Sequence, residues 1–165
     1  MSATLKPATL ADLAEVHRLA HIVWPPTFSG ILSATQIDYM LDMMYSIDAL
    51  RQQVEERGHV FHLLQEGDKN VGYVSHQIDY LPGTTKIHKL YALPDYQGRG
   101  HGRFMVDRIS DFGRAAGQHT LRLDVNYQNN AIGFYQKLGF EIVERIDTDI
   151  GHGYLMEDYV MERRL

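Results

Sequence analysis

Three glycines and two arginines lie close together in the segment Gln97-Gly98-Arg99-Gly100-His101-Gly102-Arg103. The apolar residues 87–93 before it predict a strand, and residues 103–116 predict a helix. Glycine at such a turn lets the backbone adopt a positive φ and lets a ligand approach closely. The first N–H groups of a helix have no partner within it and lie at the positive end of the helix dipole. The segment therefore predicts a phosphate-binding site, with Arg99 and Arg103 adding positive charge at its rim.

A second group of polar and aromatic side chains follows later in the sequence. Asn126 ends a predicted strand, and Asn130 begins a predicted helix that continues into Phe134-Tyr135-Gln136-Lys137-Leu138-Gly139-Phe140. An asparagine at the start of a helix also serves as an N-cap, and an aromatic residue on a short helix commonly packs in the core. The residues alone therefore leave both a binding role and a structural role open for Asn130 and Tyr135.

Together the two segments resemble the two signatures of the GNAT superfamily of N-acetyltransferases. The first matches the loop Gln/Arg-x-x-Gly-x-Gly/Ala that binds pyrophosphate in that family, and Leu90-x-Ala92-x-Pro94 fits the strand before it. The second matches an Asn followed by Tyr-x-x-Leu-Gly-Phe. A glycine loop alone is a weak signal, but this sequence has neither the P-loop spacing nor the dinucleotide-binding spacing. The resemblance covers most of the chain from Val60 onward.

The resemblance implies acetyl-CoA as the co-substrate and gives each segment a role. The glycine loop would bind the pyrophosphate, the backbone at the end of the preceding strand would pair with the pantetheine arm, and Tyr135 would be the general acid that protonates the leaving thiolate. The implied coenzyme-binding residues are Leu90, Tyr91, Ala92, Gln97, Gly98, Arg99, Gly100, His101, Gly102, Arg103, Asn126, Asn130 and Tyr135. Leu90 and Ala92 are also suited to fill the core, which is compatible with a backbone contact.

The general base is less well defined by the sequence. Many members of the family have a Glu four residues before the position of Leu90, where this chain has Lys86. His88 is expected on the same face as Lys86 and Leu90, because side chains alternate along a strand. An imidazole titrates near neutral pH and would accept the proton directly or through water. Asp124 on the neighbouring strand is a second candidate, and a chain of waters without a dedicated base is a third.

The acceptor is expected to lie against the segment that follows the first predicted helix. Aromatic and Met side chains there either line a pocket or pack in the core: Trp24, Phe28, Tyr39, Met40 and Tyr45. The later segments Asp147-Thr148-Asp149 and Glu157-Asp158-Tyr159 are acidic and would attract a cationic amine. The closing residues 153–161 are similar to a bacterial subgroup of the family that includes polyamine acetyltransferases.

These patterns predict an acetyl-CoA-dependent N-acetyltransferase that acts on a primary amine, either a polyamine or another small amine. The amine would attack the thioester directly in a ternary complex, because the chain has no cysteine to carry an acyl intermediate. Two alternatives stay open: a non-catalytic acyl-CoA-binding regulatory module, and an enzyme that acetylates a protein or peptide.

The composition of the chain limits the classes of partner that we expect it to bind. The 165 residues suit a single domain over residues 1–165, and the formal net charge of −5 argues against general nucleic-acid binding. The chemistry needs no metal, and His17 and His21, four residues apart on a helix, are better explained as a packed or solvated pair. No apolar run is long enough for a signal peptide or a membrane span, so we expect a cytoplasmic protein. A homodimer is compatible with the family.

The order of predicted elements indicates an α/β (mixed α+β) protein. Strands are expected at 4–8, 60–65, 71–78, 86–93, 120–125, 140–146 and 154–162, and helices at 10–24, 33–45, 47–57, 103–116 and 129–138. Pro25-Pro26 is expected to end the first helix. The resemblance sharpens this to the GNAT fold: a mixed, mostly antiparallel sheet of six to seven strands, with helices on both faces. The strand before the glycine loop and its parallel neighbour at 120–125 are expected to splay apart at the coenzyme site.

Overall fold

A computed structural model describes residues 2–165 of the chain. The strands are β1 (Ala3–Pro7), β2 (Val60–Glu66), β3 (Lys69–Leu81), β4 (Thr84–Ala92), β5 (Thr120–Asn126), β6 (Glu141–Gly151) and β7 (Tyr154–Arg164). The helices are α1 (Leu13–Phe28), α2 (Ala34–Tyr45), α3 (Ile47–Glu55), α4 (His101–Ala115) and α5 (Ala131–Lys137). No helix in this part of the chain is long and apolar enough to cross a membrane.

All seven strands form one sheet in the order β1-β2-β3-β4-β5-β7-β6. Only β4 and β5 run parallel, and every other neighbouring pair is antiparallel. Helix α4 makes the crossover between the two parallel strands, as a parallel connection requires. The predicted mixed, mostly antiparallel sheet is therefore confirmed, although β3, β6 and β7 are longer than the sequence indicated.

Helices cover both faces of the sheet, as predicted. On one face α1, α2 and α3 pack against β2 and β3 around Leu19, Tyr45 and Phe61. On the other face α4 and α5 pack against the centre of the sheet around Met105, Ile109 and Leu121. We call these the α1–α3 face and the α4–α5 face. Because each face has its own apolar core, a side chain on β4 reaches one set of helices or the other.

The prediction that Pro25-Pro26 ends the first helix is wrong. Helix α1 runs through both prolines to Phe28, and the Ser29 N–H donates to the Pro25 carbonyl (2.9 Å). A proline within a helix leaves the carbonyl four residues earlier without its donor. Those carbonyls belong to His21 and Ile22, both of which are exposed residues, so the lost bonds lie on the solvent side of the helix. The buried stripe meanwhile continues through Trp24 to Phe28 and holds the last turn in place.

The ladder between β4 and β5 is short. Pairing extends from Thr84↔Thr120 to Ile87↔Leu123 and then stops. On the other side of β4, Ser75 pairs with Lys89 and His76 pairs with Ile87, so His88 is an extra residue that forms a β-bulge. The bulge bends β4 away from β5, and the two strands separate toward the glycine loop. The predicted splayed opening is present, and a β-bulge marks where it begins.

Buried histidines on the α4–α5 face should make the protein sensitive to acid. The ring of His76 stacks on His62 and on Phe112, and burial lowers the pKa of His76 to about 4. In the unfolded chain His76 binds a proton below its ordinary pKa of about 6.5, whereas in the native protein it binds one only below about pH 4. The free energy of unfolding should therefore fall on acidification by up to about 1.4 kcal/mol per pH unit for this residue.

We predict that His76→Phe flattens the loss of stability between pH 6.5 and pH 4, measured by urea denaturation at several pH values. Phenylalanine keeps the aromatic stack and removes the proton-binding site. His21→Phe, which changes an exposed histidine on α1, is the control and should leave the slope as it is in the unmodified protein. Equal slopes for all three proteins would contradict the assignment.

Candidate functional site

A cleft of about 790 Å³ opens where β4 and β5 separate. One wall is made by the glycine loop, the start of α4 and α5, and the opposite wall by α1, α2 and α3. Residues predicted for the site that line it are His88, Leu90, Tyr91, Ala92, Gln97, Gly98, Gly100, His101, Gly102, Arg103, Asp124, Asn126, Asn130 and Tyr135. The structure thus brings together segments that are separated by almost fifty residues in the sequence.

The glycine loop adopts the geometry of an anion site. Gly98 and Gly100 have positive φ angles of 76° and 82°, and Gly100 is the N-cap residue of α4. The first bond of the helix is donated by the Phe104 N–H to the Gly100 carbonyl (3.0 Å). The N–H groups of residues 101–103 therefore have no partner within the helix and lie at its positive end. The helix begins at His101, two residues earlier than predicted, which brings these groups into the loop itself.

The side chain of Arg99 does not line the cleft, although the sequence placed it at the rim. Its guanidinium donates to Glu66 (2.8 Å), and the buried ring of His101 donates to the other oxygen of the same carboxylate (2.7 Å). Arg103 lines the cleft, and its long side chain is exposed. Sequence reasoning missed Glu66, which lies at the end of β2, 33 residues before Arg99. Glu66 fixes the outer side of the loop through two charge-assisted hydrogen bonds.

Tyr135 lies on α5 at the cleft, with its ring packed edge-on against Phe134 and Phe140. Burial raises the pKa of Tyr135 to about 12, because a phenolate would lose its hydration there. No protein group between residues 2 and 165 hydrogen-bonds to its hydroxyl. The phenol therefore keeps its proton at neutral pH and is free to donate it to a ligand.

The side chains of Asn126, Asn129 and Asn130 differ in their hydrogen bonds within the protein. The Asn126 side chain accepts from the Gln128 N–H (2.9 Å), and the Asn129 side chain accepts from the Ala131 N–H (2.9 Å), which caps α5. The side chain of Asn130 makes no capping hydrogen bond. Since its neighbour satisfies the helix start, Asn130 is available for a ligand, whereas Asn126 is partly engaged.

His88 and Asp124 do not fit the role of general base as the sequence suggested. The bulge breaks the side-chain alternation, so His88 stacks on His59 (3.8 Å between ring centroids) and its Nε2–H donates to Gln77 (2.9 Å). Burial, followed by the charges of nearby basic groups, lowers the pKa of His88 to about 2. Such a ring is a very weak base near neutral pH. The Asp124 carboxylate accepts from the Lys86 ammonium (2.9 Å) and is held in that ion pair.

Two further ionisable groups line the cleft that the sequence did not single out for chemistry. Asp158 on β7 is half-buried, and burial, reinforced by the charge of Asp124, raises its pKa to about 6. Lys89 on β4 is buried, and desolvation, with the charges of Lys86 and Arg57, lowers its pKa to about 7. Perturbed groups in a cleft are typical of functional sites. In the sequence, only the alternation of side chains along a strand could have placed these two groups in the cleft. The bulge at His88 makes that alternation unreliable for Lys89.

Comparison with known families agrees with this geometry. The model of the acetyltransferase (GNAT) family matches residues 16–140, most of the chain. This protein belongs to the GNAT family. The resemblance to the GNAT superfamily seen in the sequence is therefore confirmed. The loop over residues 97–102 and the Tyr-x-x-Leu-Gly-Phe segment are the two segments that carry it.

Individual relatives differ in the acceptor that their names state. The L-amino acid N-acyltransferase MnaT of Escherichia coli is 35% identical over 63 residues, which are 38% of this chain and 37% of that protein. A PaiA N-acetyltransferase of Thermoplasma acidophilum, crystallised with coenzyme A, has a TM-score of 0.82 at 23% identity over 100% of both chains. The spermidine/spermine N-acetyltransferase SpeG of Vibrio cholerae has a TM-score of 0.69 at 18% identity, over 98% of this chain and 93% of that one.

The chain spans only 37% to 45% of the length of the curated relatives that it matches. The two structural matches are below 25% identity and share the fold with this GNAT protein. Neither kind of similarity therefore identifies the acceptor, which has to be inferred from the side chains that line the cleft.

We predict that Gly100→Ala weakens coenzyme A binding roughly tenfold, or about 1.4 kcal/mol, in isothermal titration calorimetry. The added methyl would point into open space beside the loop amides and strain a φ of 82°. Gly117→Ala is a matched control, because Gly117 has a φ of 74°, also has open space around its Cβ position, and lies outside the cleft. Both variants should lose similar stability, of order 1 kcal/mol, in thermal denaturation. Equal coenzyme affinities in the two variants would count against the loop as the phosphate site.

Proposed function

We propose that this protein transfers the acetyl group of acetyl-CoA to a small primary amine by direct attack in a ternary complex. The observation that carries the proposal is the single cleft. Its coenzyme side has free helix amides at Gly100, and its other side has an apolar wall that includes Trp24 and Phe28. Both substrates can therefore be held together, which is a large part of the catalysis that such a reaction needs.

The pantetheine arm is proposed to lie between the separated strands. Beyond Ile87 and Leu123 the facing backbone groups of β4 and β5 have no strand partner, and an amide-bearing arm can bond to them as an added strand would. A β4 backbone N–H would polarise the thioester carbonyl. The side chains of Leu90 and Ala92 pack with the α4–α5 face, so their backbone contacts and their core packing are compatible.

Tyr135 is proposed as the general acid. The amine nitrogen attacks the carbonyl carbon, the C–S bond breaks, and the phenolic proton passes to the departing sulfur. A pKa of about 12 keeps that proton in place at neutral pH until a thiolate forms beside it. The phenol recovers its proton from solvent, so the cycle leaves Tyr135 unchanged.

Asp158 is proposed as the group that takes the proton from the ammonium form of the acceptor. It lies on the cleft wall near Tyr91, whose pKa is raised mainly by burial and slightly by the charge of Asp158. A carboxyl group with a pKa of about 6 is ionised at neutral pH and is a stronger base than an ordinary aspartate. It replaces His88 and Asp124 in our account, because its carboxylate has no ion-pair partner between residues 2 and 165.

A non-catalytic acyl-CoA-binding module is the alternative from another functional class. Such a module needs the glycine loop and Asn130 but needs no acceptor pocket. The cleft instead continues past the coenzyme side to Met40 and Trp24, and this extension favours an enzyme. Release of free thiol from acetyl-CoA in the presence of a panel of amines distinguishes the two functions.

We predict that Tyr135→Phe lowers kcat by about 10²-fold or more while the dissociation constant of coenzyme A stays within about twofold, because only the proton donor is lost. Thiol release and calorimetry measure the two quantities. Tyr154→Phe removes a hydroxyl from β7 outside the cleft and is the control. A Tyr135→Phe enzyme with full kcat would remove the phenol from the mechanism.

We predict that kcat/KM rises through an apparent pKa of about 6 as Asp158 ionises, and then levels off at neutral pH. Asp158→Asn should lose this acid limb and fall at least about tenfold in kcat/KM at pH 7.5. The control is Asp42→Asn on the exposed surface of α2. A limb near pH 6 that persists in Asp158→Asn would assign the proton transfer to another group.

A further inference from the structure

Lys89 is a buried amino group that none of the roles above uses. It lies on β4 with 8% of its surface exposed, and its ammonium donates to the Gln53 side-chain oxygen (2.8 Å). The rings of Tyr45 and Phe61 each lie 5.4 Å from its nitrogen. Among residues 2–165 no carboxylate forms a salt bridge with it. A buried charge normally has a partner of opposite sign, so an anion bound beside Lys89 would stabilise its protonated form.

The surroundings of Lys89 are cationic or neutral. Lys86 and Arg57 act on it with positive charge, and Lys86 itself pairs with the Asp124 carboxylate (2.9 Å). Gln53 uses its amide N–H to bind the Met44 carbonyl (2.9 Å), which turns its oxygen toward the ammonium. A neutral amide oxygen satisfies one of the three ammonium donors and leaves the charge uncompensated.

The position of Lys89 places this charge on the acceptor side. The bulge at His88 sends Lys89 and Tyr91 to the α1–α3 face, while Leu90 and Ala92 face α4 and the glycine loop. Lys89, Gln53 and Arg57 all line the same cleft. The acceptor side therefore has a positive end at Lys89, apolar side chains from α1 and α2, and a carboxylate at Asp158.

We propose that the acceptor is a small amino acid, whose carboxylate binds the Lys89 ammonium while its amino group lies near Asp158. This inference rests on the proposed acetyl transfer and names its substrate class. A polyamine is disfavoured, because its second ammonium would meet Lys89 and Arg57, and like charges in a desolvated site repel strongly. An anion beside the ammonium would supply the missing partner of this buried charge.

A matched acceptor series tests the proposal with thiol release from acetyl-CoA. L-methionine, L-methioninamide and 3-(methylthio)propylamine share one apolar chain and differ in the carboxylate, and spermidine is added as the polyamine. We expect L-methionine to exceed the other three in kcat/KM by at least about tenfold. If none of the four compounds causes thiol release while coenzyme A still binds, both the proposed acetyl transfer and the amino-acid inference fail. If amines are acetylated without preference for the carboxylate, only the amino-acid inference is overturned.

The variant Lys89→Met separates anion binding from other roles of the lysine. Methionine keeps the apolar stem between the two rings, so the fold should survive, which thermal denaturation checks. We expect KM for L-methionine to rise at least about tenfold with kcat little changed, and KM for the amide to stay the same. Lys89→Arg should restore most of the preference, because it restores the charge.

Other results for these variants would overturn the proposal. If Lys89→Met lost kcat equally with L-methionine and with L-methioninamide, Lys89 would have a role in proton transfer or in the structure instead. Acetylation of Lys89 itself, seen by mass spectrometry as faster than turnover, would make it an acceptor. Lys6→Met, a change on the exposed strand β1, is the control and should leave every constant unchanged.

Discussion

The separation of β4 from β5 is the constraint on which the site depends. Two parallel strands in the middle of a sheet would ordinarily pair along their whole length, because unpaired backbone groups in a core are costly. Here the ladder ends after Ile87 and Leu123, and the unpaired groups border a cleft where water or a substrate can satisfy them. The extra residue at His88 supplies the bend, so one insertion in β4 creates both the opening and its unusual side-chain arrangement.

The bulge also divides the chemistry between two faces. Without it, Lys89 and Leu90 would keep a simple alternation with Ile87, and Lys89 would point to the α4–α5 face. With it, Ile87 and Leu90 both join the core beneath α4, whereas Lys89 reaches Gln53 on α3. The apolar side of the strand therefore packs against α4, and the polar side faces α3. The rings of His59 and the half-buried His88 stack on each other at the bulge, and desolvation lowers the pKa of both, so they are neutral near pH 7.

Much of this could be predicted from sequence, because local signals and global fold agree. The glycines at 98, 100 and 102 predicted the loop, and the helices predicted at 33–45 and 47–57 are present as α2 and α3. Pro25-Pro26 misled because burial of Trp24 and Phe28 outweighs a local preference. The sequence left the general base open for a different reason: alternation cannot reveal a β-bulge, and a pKa depends on burial that only the folded chain defines. Glu66 was missed because its partners are distant in the sequence.

The acidic closing segments do not act as one field in the folded protein. The sequence grouped Asp147, Glu157 and Asp158 as one field that would draw in a polyamine. In the folded protein Arg145 binds Asp147 (3.0 Å) and Glu157 (3.3 Å) on the exposed side of β6 and β7, and of these acids only Asp158 lines the cleft. Exposed, paired carboxylates are screened by solvent, whereas the half-buried Asp158 and the buried Lys89 act at short range in a poorly solvated space. The overall charge of −5 therefore says little about the acceptor. The walls of the cleft carry both acidic and basic side chains, among them Asp158 and Lys89, and an acceptor meets these charges rather than the net charge of the chain.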